Sequence, residues 1–171
     1  MADKLLKINA SGILEQQEVT VVSTGVAEAG DPVGLDANGK LDTSVMPTGI
    51  GADTAVIVAG ENLAAGDFVN IYDASGTPTV RKAIATGEGT RAHGFVLAAV
   101  TSGQNATVYF EGGNNQVTGK TGGTNQFLSA ATAGATTSTA PSAATNIVQG
   151  LGVATSATAI NVEISQPVVL A

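Results

Sequence analysis

The 171-residue chain has no cysteine, no tryptophan, one histidine, and seven lysines and arginines in total. Without cysteine, neither disulfides nor thiolate metal sites can hold the fold, so stability must come from packing and association. Fourteen acidic residues against seven basic ones leave a net charge of −7, which removes counterion release from phosphates as a driving force and argues against a nucleic-acid partner. The only adjacent basic pair, Arg81-Lys82, reads as two exposed strand residues rather than a phosphate patch. Charged residues make up 12% of the chain, about half the ~25% of an ordinary soluble domain, which implies large surfaces hidden against something. Four phenylalanines and two tyrosines offer few rings on which a sugar could stack, so a carbohydrate-binding β module is disfavoured. No apolar run approaches the ~18 residues that span a bilayer, and the opening "MADKLLKINASGILEQQ" lacks the continuous apolar stretch of a signal peptide. Synthesis and folding in a cytoplasm, with no membrane partner, are therefore expected.

What the chain does contain is 22 glycines, long Ala/Thr/Ser stretches and many short apolar runs. "EVTVVS", "TAVIVAG", "DFVNIY", "TVRKA", "GFVLAAV", "ATVYFEG", "NQFLS", "NIVQGLGVA", "AINVEIS" and "PVVLA" have strand composition. Alternations such as Ile160, Val162, Ile164 carry the period of two of a half-buried strand. No segment keeps helical periodicity over three turns, and "DKLLKINASGILEQQ" is interrupted by Asn9, Ser11 and Gly12. The expected fold is all-β.

One phrase occurs twice, "AEAGDPVGLDANGKL" from Ala27 and "NLAAGDFVNIYDASGTP" from Asn62. The second copy opens a longer echo: "AGDFVNIYDASG...RAHGFVLAAVTSGQNATVYF" has a degenerate partner in "GGTNQFLSAATAG...IVQGLGVATSATAINVEI". Gly66 matches Gly123, Gly94 matches Gly150 and Val108 matches Val162. A repeat of several strands in only two copies is too long for a solenoid rung. It suits an internally duplicated small β-barrel or sandwich, each copy supplying half of a shared core. The expected organisation is an extended N-terminal arm or small β subdomain over 1–55, then a β-barrel core over 56–171 with its duplication at about 65–110 and 122–164. The truncated copy at 26–41 carries only a hairpin, with Asn38-Gly39 as a type I′ turn signal.

None of the motifs that resemble a reactive site survives inspection. Asp36, Asn38 and Asp42 alternate as in a calcium loop, but glycine falls at loop position 4 instead of 6, and Lys40 and Pro47 stand at positions 5 and 12. "GGNNQVTGKTGG" has five residues between Gly113 and Gly119 where a phosphate loop needs four, and a strand rather than a helix follows. His93 has no Gly-x-Ser-x-Gly nucleophile elbow to serve. Glu61, Asp67 and Glu88 sit beside glycine in turns, and no spacing singles out a carboxylate pair. No catalytic, cofactor-binding or metal-binding residue is assigned, and the chain is not expected to be an enzyme.

Residues 65–171 resemble the capsid decoration, or cement, proteins of tailed bacteriophages. The resemblance rests on the ordered series "AGDFVNIYDASG", "VRKA", "AHGFVLAAVTSGQNATVYFEGGNNQVTG", "GGTNQFLSAATAGATTSTAP", "VQGLGVATSATAINVEI" and "PVVLA". Upstream, "LDANGKLDTSVMP" is similar to a phrase of phage head-fibre and tail-fibre proteins, where an extended segment precedes a trimeric domain. These resemblances imply a structural virion protein, a homotrimer on the outer capsid surface that clamps neighbouring capsomers of the major capsid protein. A trimeric head-fibre or tail-associated protein is the alternative. Such families bring no catalytic or ligand residues. In the N-terminal region, Leu5, Leu6, Ile8, Ile13 and Leu14 are too apolar for a free tail and too interrupted to form a core. They are the candidate capsid or subunit contacts.

Overall fold

The computed structural model describes residues 4–46 and 51–171. Residues 1–3 of the expected arm, and Pro47 at the end of "LDANGKLDTSVMP", lie outside the described residues. The fold is all-β. The only helical pieces among the described residues are three-residue 3₁₀ turns at Val26–Glu28, Thr43–Val45 and Glu88–Thr90. No helix there is long and apolar enough to cross a membrane. The chain divides into two compact units, Met1–Gly51 and Ala52–Ala171.

The first unit pairs β1 (Lys4–Ile8) with β2 (Leu14–Glu18) in an antiparallel hairpin. Beyond it, "EVTVVS" forms no strand, and a single parallel bridge joins Thr20 to Val33. The hairpin expected at 26–41 is also missing. Residues 26–28 enter a 3₁₀ turn, and the Asp36 carboxylate gathers the N–H groups of Asn38 and Lys40, each at 2.8 Å. Gly39 has φ +72° and its N–H reaches the Asp36 carbonyl, while Asn38 keeps negative φ. A type I′ turn needs positive φ at both central residues. That geometry occurs instead in the second copy of the phrase, where Ser75 (φ +56°) and Gly76 (φ +89°) link the paired residues Ala74 and Thr77.

The second unit shows why the phrase is repeated along the chain. β3 (Thr54–Ala59), β4 (Phe68–Ala74), β5 (Thr77–Lys82), β6 (Gly94–Val96) and β7 (Asn105–Tyr109) close a barrel in the order β3-β5-β4-β6-β7. β8 (Gly112–Asn114), β9 (Asn125–Leu128), β10 (Thr136–Thr137), β12 (Gly150–Ser156) and β13 (Ala159–Val162) form a sheet in the order β10-β9-β12-β13-β8. The neighbours are the same in both copies, except that β3 meets β5 and β8 does not meet β10. β11 (Ile147–Val148) pairs separately with β14 (Val168–Val169).

Individual bonds repeat as well. Gly66 (φ +90°) donates to the Val96 carbonyl and Val96 donates to Asp67; Gly123 (φ +81°) donates to Ala154 and Ala154 donates to Thr124. These bonds correct the expected alignment. Gly94 opposes Val69 as Gly152 opposes Gln126, and Val96 opposes Val108 as Ala154 opposes Ile160. The structural partner of Gly94 is therefore Gly152, and that of Val108 is Ile160. Both expected matches were displaced by two residues, which leaves a side chain on the same face of its strand, so the hydrophobic pattern could not expose the slip.

The two copies share a core, as expected, but only the first closes a barrel. The first encloses its own core, with Val69, Val80, Val96, Ala106 and Val108 fully buried. A second core packs Phe68 and Phe95 of that barrel against Leu128, Leu151, Ala154 and Ile160 of the second copy. Backbone bonds join the copies at Phe68 to Gly134 and at Ala85 to Ser129 and Ile147. Buried Gln149 adds a third joint, accepting from the Ala92 N–H (2.8 Å) and donating to the Ala92 carbonyl (2.9 Å). Its amide also donates to the Ser165 carbonyl (3.1 Å), so its polar atoms are bonded as burial of a polar side chain demands.

Candidate functional site

The five apolar residues singled out in the N-terminal region all belong to the β1–β2 hairpin. Asn9 builds its turn. The Asn9 side-chain oxygen accepts from Ser11 and Ile13, both at 3.0 Å, and Gly12 takes φ +78°. This is the bonding pattern of the Asp36 turn, so "NASG" and "DANG" fold alike while "DASG" at 73–76 becomes the type I′ hairpin. Opposed residues share a face: Lys4 with Glu18, Leu6 with Gln16 and Ile8 with Leu14 on one side, Leu5 with Gln17 and Lys7 with Glu15 on the other. Ion pairs Lys4–Glu18 (3.4 Å) and Lys7–Glu15 (3.5 Å) flank the apolar residues, one on each face. The second face turns toward the rest of the unit, where the Gln17 amide donates to Asp31. The first carries Leu6, Ile8 and Leu14 at 70%, 69% and 66% exposure, with Ile13 (63%) at the turn. Leu5, on the other face, is also exposed.

No described residue of this unit is buried. It is held by polar links: Gln17 to Asp31, Thr20 N–H to the Pro32 carbonyl, Ser23 N–H to the Ser44 hydroxyl, and the Glu28 carboxylate collecting Ser23, Thr24 and Gly25. An isolated two-stranded hairpin is marginal in water, and ordering each residue costs about 1–2 kcal/mol. Covering the five side chains, which are half to seven-tenths exposed, at that fraction of the 1.5–3 kcal/mol for each full burial supplies about 5–10 kcal/mol. Covering this surface with another apolar surface would stabilise the unit.

The other candidates have structural occupations. Backbone N–H groups of Lys40 and Asn38 hold the exposed Asp36 carboxyl below the usual carboxylate range. Asp42 caps the 3₁₀ turn by accepting from Ser44, so the alternating acids serve local turns. Asp67 accepts from the Ala64 N–H and pairs with Lys82 at 3.3 Å. Among the described residues, no cluster of three His, Cys, Asp or Glu side chains could hold a metal ion. The nitrogens of His93 lie 2.9 Å from the Ile71 amide nitrogen and 3.0 Å from Arg91 Nε, and since a neutral imidazole carries a proton on one nitrogen, only one of the two accepts. Burial, then the Arg91 charge, lowers its pKa. The cavity of about 390 Å³ beside His93 is lined by Arg91, Glu111, Gln149 and Glu163, with the Gln149 amide already committed to Ala92. Among the described residues Phe68 and Phe95 are buried and Tyr72, Tyr109, Phe110 and Phe127 are half-buried, which offers a sugar little ring surface to stack on.

No family model, curated protein or solved structure matches the chain.

Proposed function

We propose that the protein is a structural component of a phage virion that decorates the outer surface of the capsid and stabilises contacts between capsomers. Its partners in this reading are the major capsid protein and copies of itself, as a homotrimer. The observation that carries it is the N-terminal unit, which has ordered polar turns, no buried described residue, and an apolar hairpin face with the Lys4–Glu18 ion pair at one end. Such a unit gains its stability where another surface covers it. The barrel unit supports the same reading by its chemistry, since its buried polar groups are all satisfied within the described residues and none is left aimed at a substrate. Net charge of −7 suits a place outside the shell, away from packaged DNA. Several weak contacts tethered in one trimer bind cooperatively, because each raises the effective concentration of the next to roughly millimolar.

The test is co-sedimentation of full-length protein with undecorated heads, followed by heating to read the temperature of DNA release. Saturable binding with a raised release temperature is expected. Binding to tails in place of heads would move the protein to the head-fibre or tail-associated class, and binding to neither would remove the virion reading.

A further inference from the structure

The second copy of the barrel is open along one seam. Aligning the copies by their shared bonds places Thr136 at the position of Val80, because Leu128 opposes Thr136 as Ile71 opposes Val80. In the first copy the Val80 carbonyl accepts from the Gly60 backbone N–H (2.8 Å), just past the end of β3. In the second, the Thr136 carbonyl accepts from Lys120 Nζ at 3.3 Å. A side-chain ammonium stands where the other copy has a strand. The Leu128 N–H is spent on the Gln149 carbonyl, on the side away from β10. Leu128 and Thr136 are therefore a non-hydrogen-bonded pair, and the Thr136 N–H and carbonyl point outward from the sheet.

The chain cannot close this edge with its own residues 115–120. That loop is drawn off to Gly66, where an added Cβ would lie 2.6 Å from the Gln116 carbonyl oxygen, and to the Ala157 carbonyl, which accepts from Lys120 N–H. Beside the edge lies a groove of about 240 Å³, lined by Lys120, Thr121, Thr124, Gln126, Thr137 and Ser138 among others. Polar Asn114, Gln126 and Thr136 replace Ala55, Val69 and Val80 of the closed barrel; their side chains bond within the chain, Thr136 to Gln126 (3.1 Å) and Asn114 to the Gly66 carbonyl (3.0 Å), which leaves the outward backbone of Thr136 as the group on offer. Lys120 has no carboxylate partner among the described residues.

We propose that the outer edge of β10 accepts an extended, acidic segment of the capsid shell protein as an added strand, its backbone pairing with Thr136 and its carboxylate meeting Lys120. This rests on the capsid reading above. An outward-facing strand edge is a template for main-chain pairing, and the Lys120 ammonium, with no carboxylate partner among the described residues, favours a segment that carries a carboxylate over a second copy's β1, which carries Lys4 and Lys7.

Hydrogen–deuterium exchange of the full-length protein, alone at two concentrations and bound to undecorated heads, tests this. Amides of residues 134–140 should exchange at least about tenfold more slowly on heads. Thr136→Pro, which removes an amide that β9 does not use, should abolish that protection, and Lys120→Glu should weaken head binding by about tenfold or more. Circular dichroism checks that each variant folds; should the proline variant fail, the surface charge reversal still decides. Heads that bind while 134–140 exchange as in free protein would overturn the seam and leave the capsid reading intact. Protection that rises with concentration in the absence of heads would make the occupant a second copy and overturn the assignment. Heads that do not bind would overturn both.

Discussion

Gly94 and Gly152 occupy one position in two copies, and adding a methyl group to each should have graded consequences. A Cβ on Gly152 would lie 2.0 Å from the Asn161 carbonyl oxygen, and one on Gly94 would lie 2.6 Å from the Tyr109 carbonyl oxygen and 2.6 Å from Val108 Cγ1. Tyr109 and Asn161 are themselves equivalent, each next to the residue that opposes Val96 or Ala154. The obstacle at both sites is backbone, which cannot rotate aside. Gly152 also has φ +128°, where a side chain costs about 1–3 kcal/mol. Overpacking adds about 1–3 kcal/mol at either site. Gly152→Ala should therefore lose about 2–6 kcal/mol and Gly94→Ala about 1–3 kcal/mol. Gly113, with open space around it, serves as a control whose alanine variant should stay within about 0.5 kcal/mol. Urea unfolding followed by circular dichroism, at one protein concentration, reads these as midpoint shifts. With m of about 2 kcal/mol/M, Gly152→Ala should move the midpoint down by about 1–3 M. Equal shifts for all three variants, or none at Gly152, would refute the claim that the two copies share this crossing.

Replacing Leu6, Ile8 and Leu14 together by Asp should abolish head binding while the barrel's melting transition stays in place; unchanged co-sedimentation would take the contact away from the hairpin. His93 yields a pH dependence. Its folded pKa is lowered, by burial first and then by Arg91, so the unfolded chain binds the proton more readily. Its contribution to stability is complete above the unfolded value of about 6.5 and is lost as pH falls from there toward the folded value. Urea midpoints between pH 7 and 5 should fall, and His93→Gln should flatten that part of the curve; an equally steep curve in the variant would assign the slope to other groups. Chelator should leave both the melting temperature and head binding unchanged, and a loss of several degrees would mean that the Asp36 to Asp42 turn holds a cation after all.

Much of the barrel unit was legible because its strands are short alternating runs between glycine turns, as at Ile160 and Val162 or in "DFVNIYDASG". The duplication was legible through Gly66 and Gly123, whose positive φ is a backbone requirement that glycine alone meets cheaply. Its register was not, since a two-residue slip preserves the face of every side chain. In the N-terminal unit, expected as an extended arm or small β subdomain, the position of the hairpin escaped for a related reason. β2 reads "LEQQE", whose exposed face ends in Gln16 and Glu18, so no hydrophobic alternation announces a strand. The usable signal was "NASG", a second writing of the Asx-capped turn in "DANG". Asn38-Gly39 failed as a type I′ signal because Asp36 bonds to Asn38 and Lys40 and fixes another turn. Gln149 and Lys120 were missed altogether, because their roles depend on contacts between the copies or across an open seam, which no local pattern encodes.

The central claim, that this chain clads the outside of a phage head, is tested most directly by imaging undecorated heads mixed with the purified full-length protein by cryo-electron microscopy. Ordered extra density on the outer surface at the junctions between capsomers is the predicted result. Bare shells at saturating protein would contradict it.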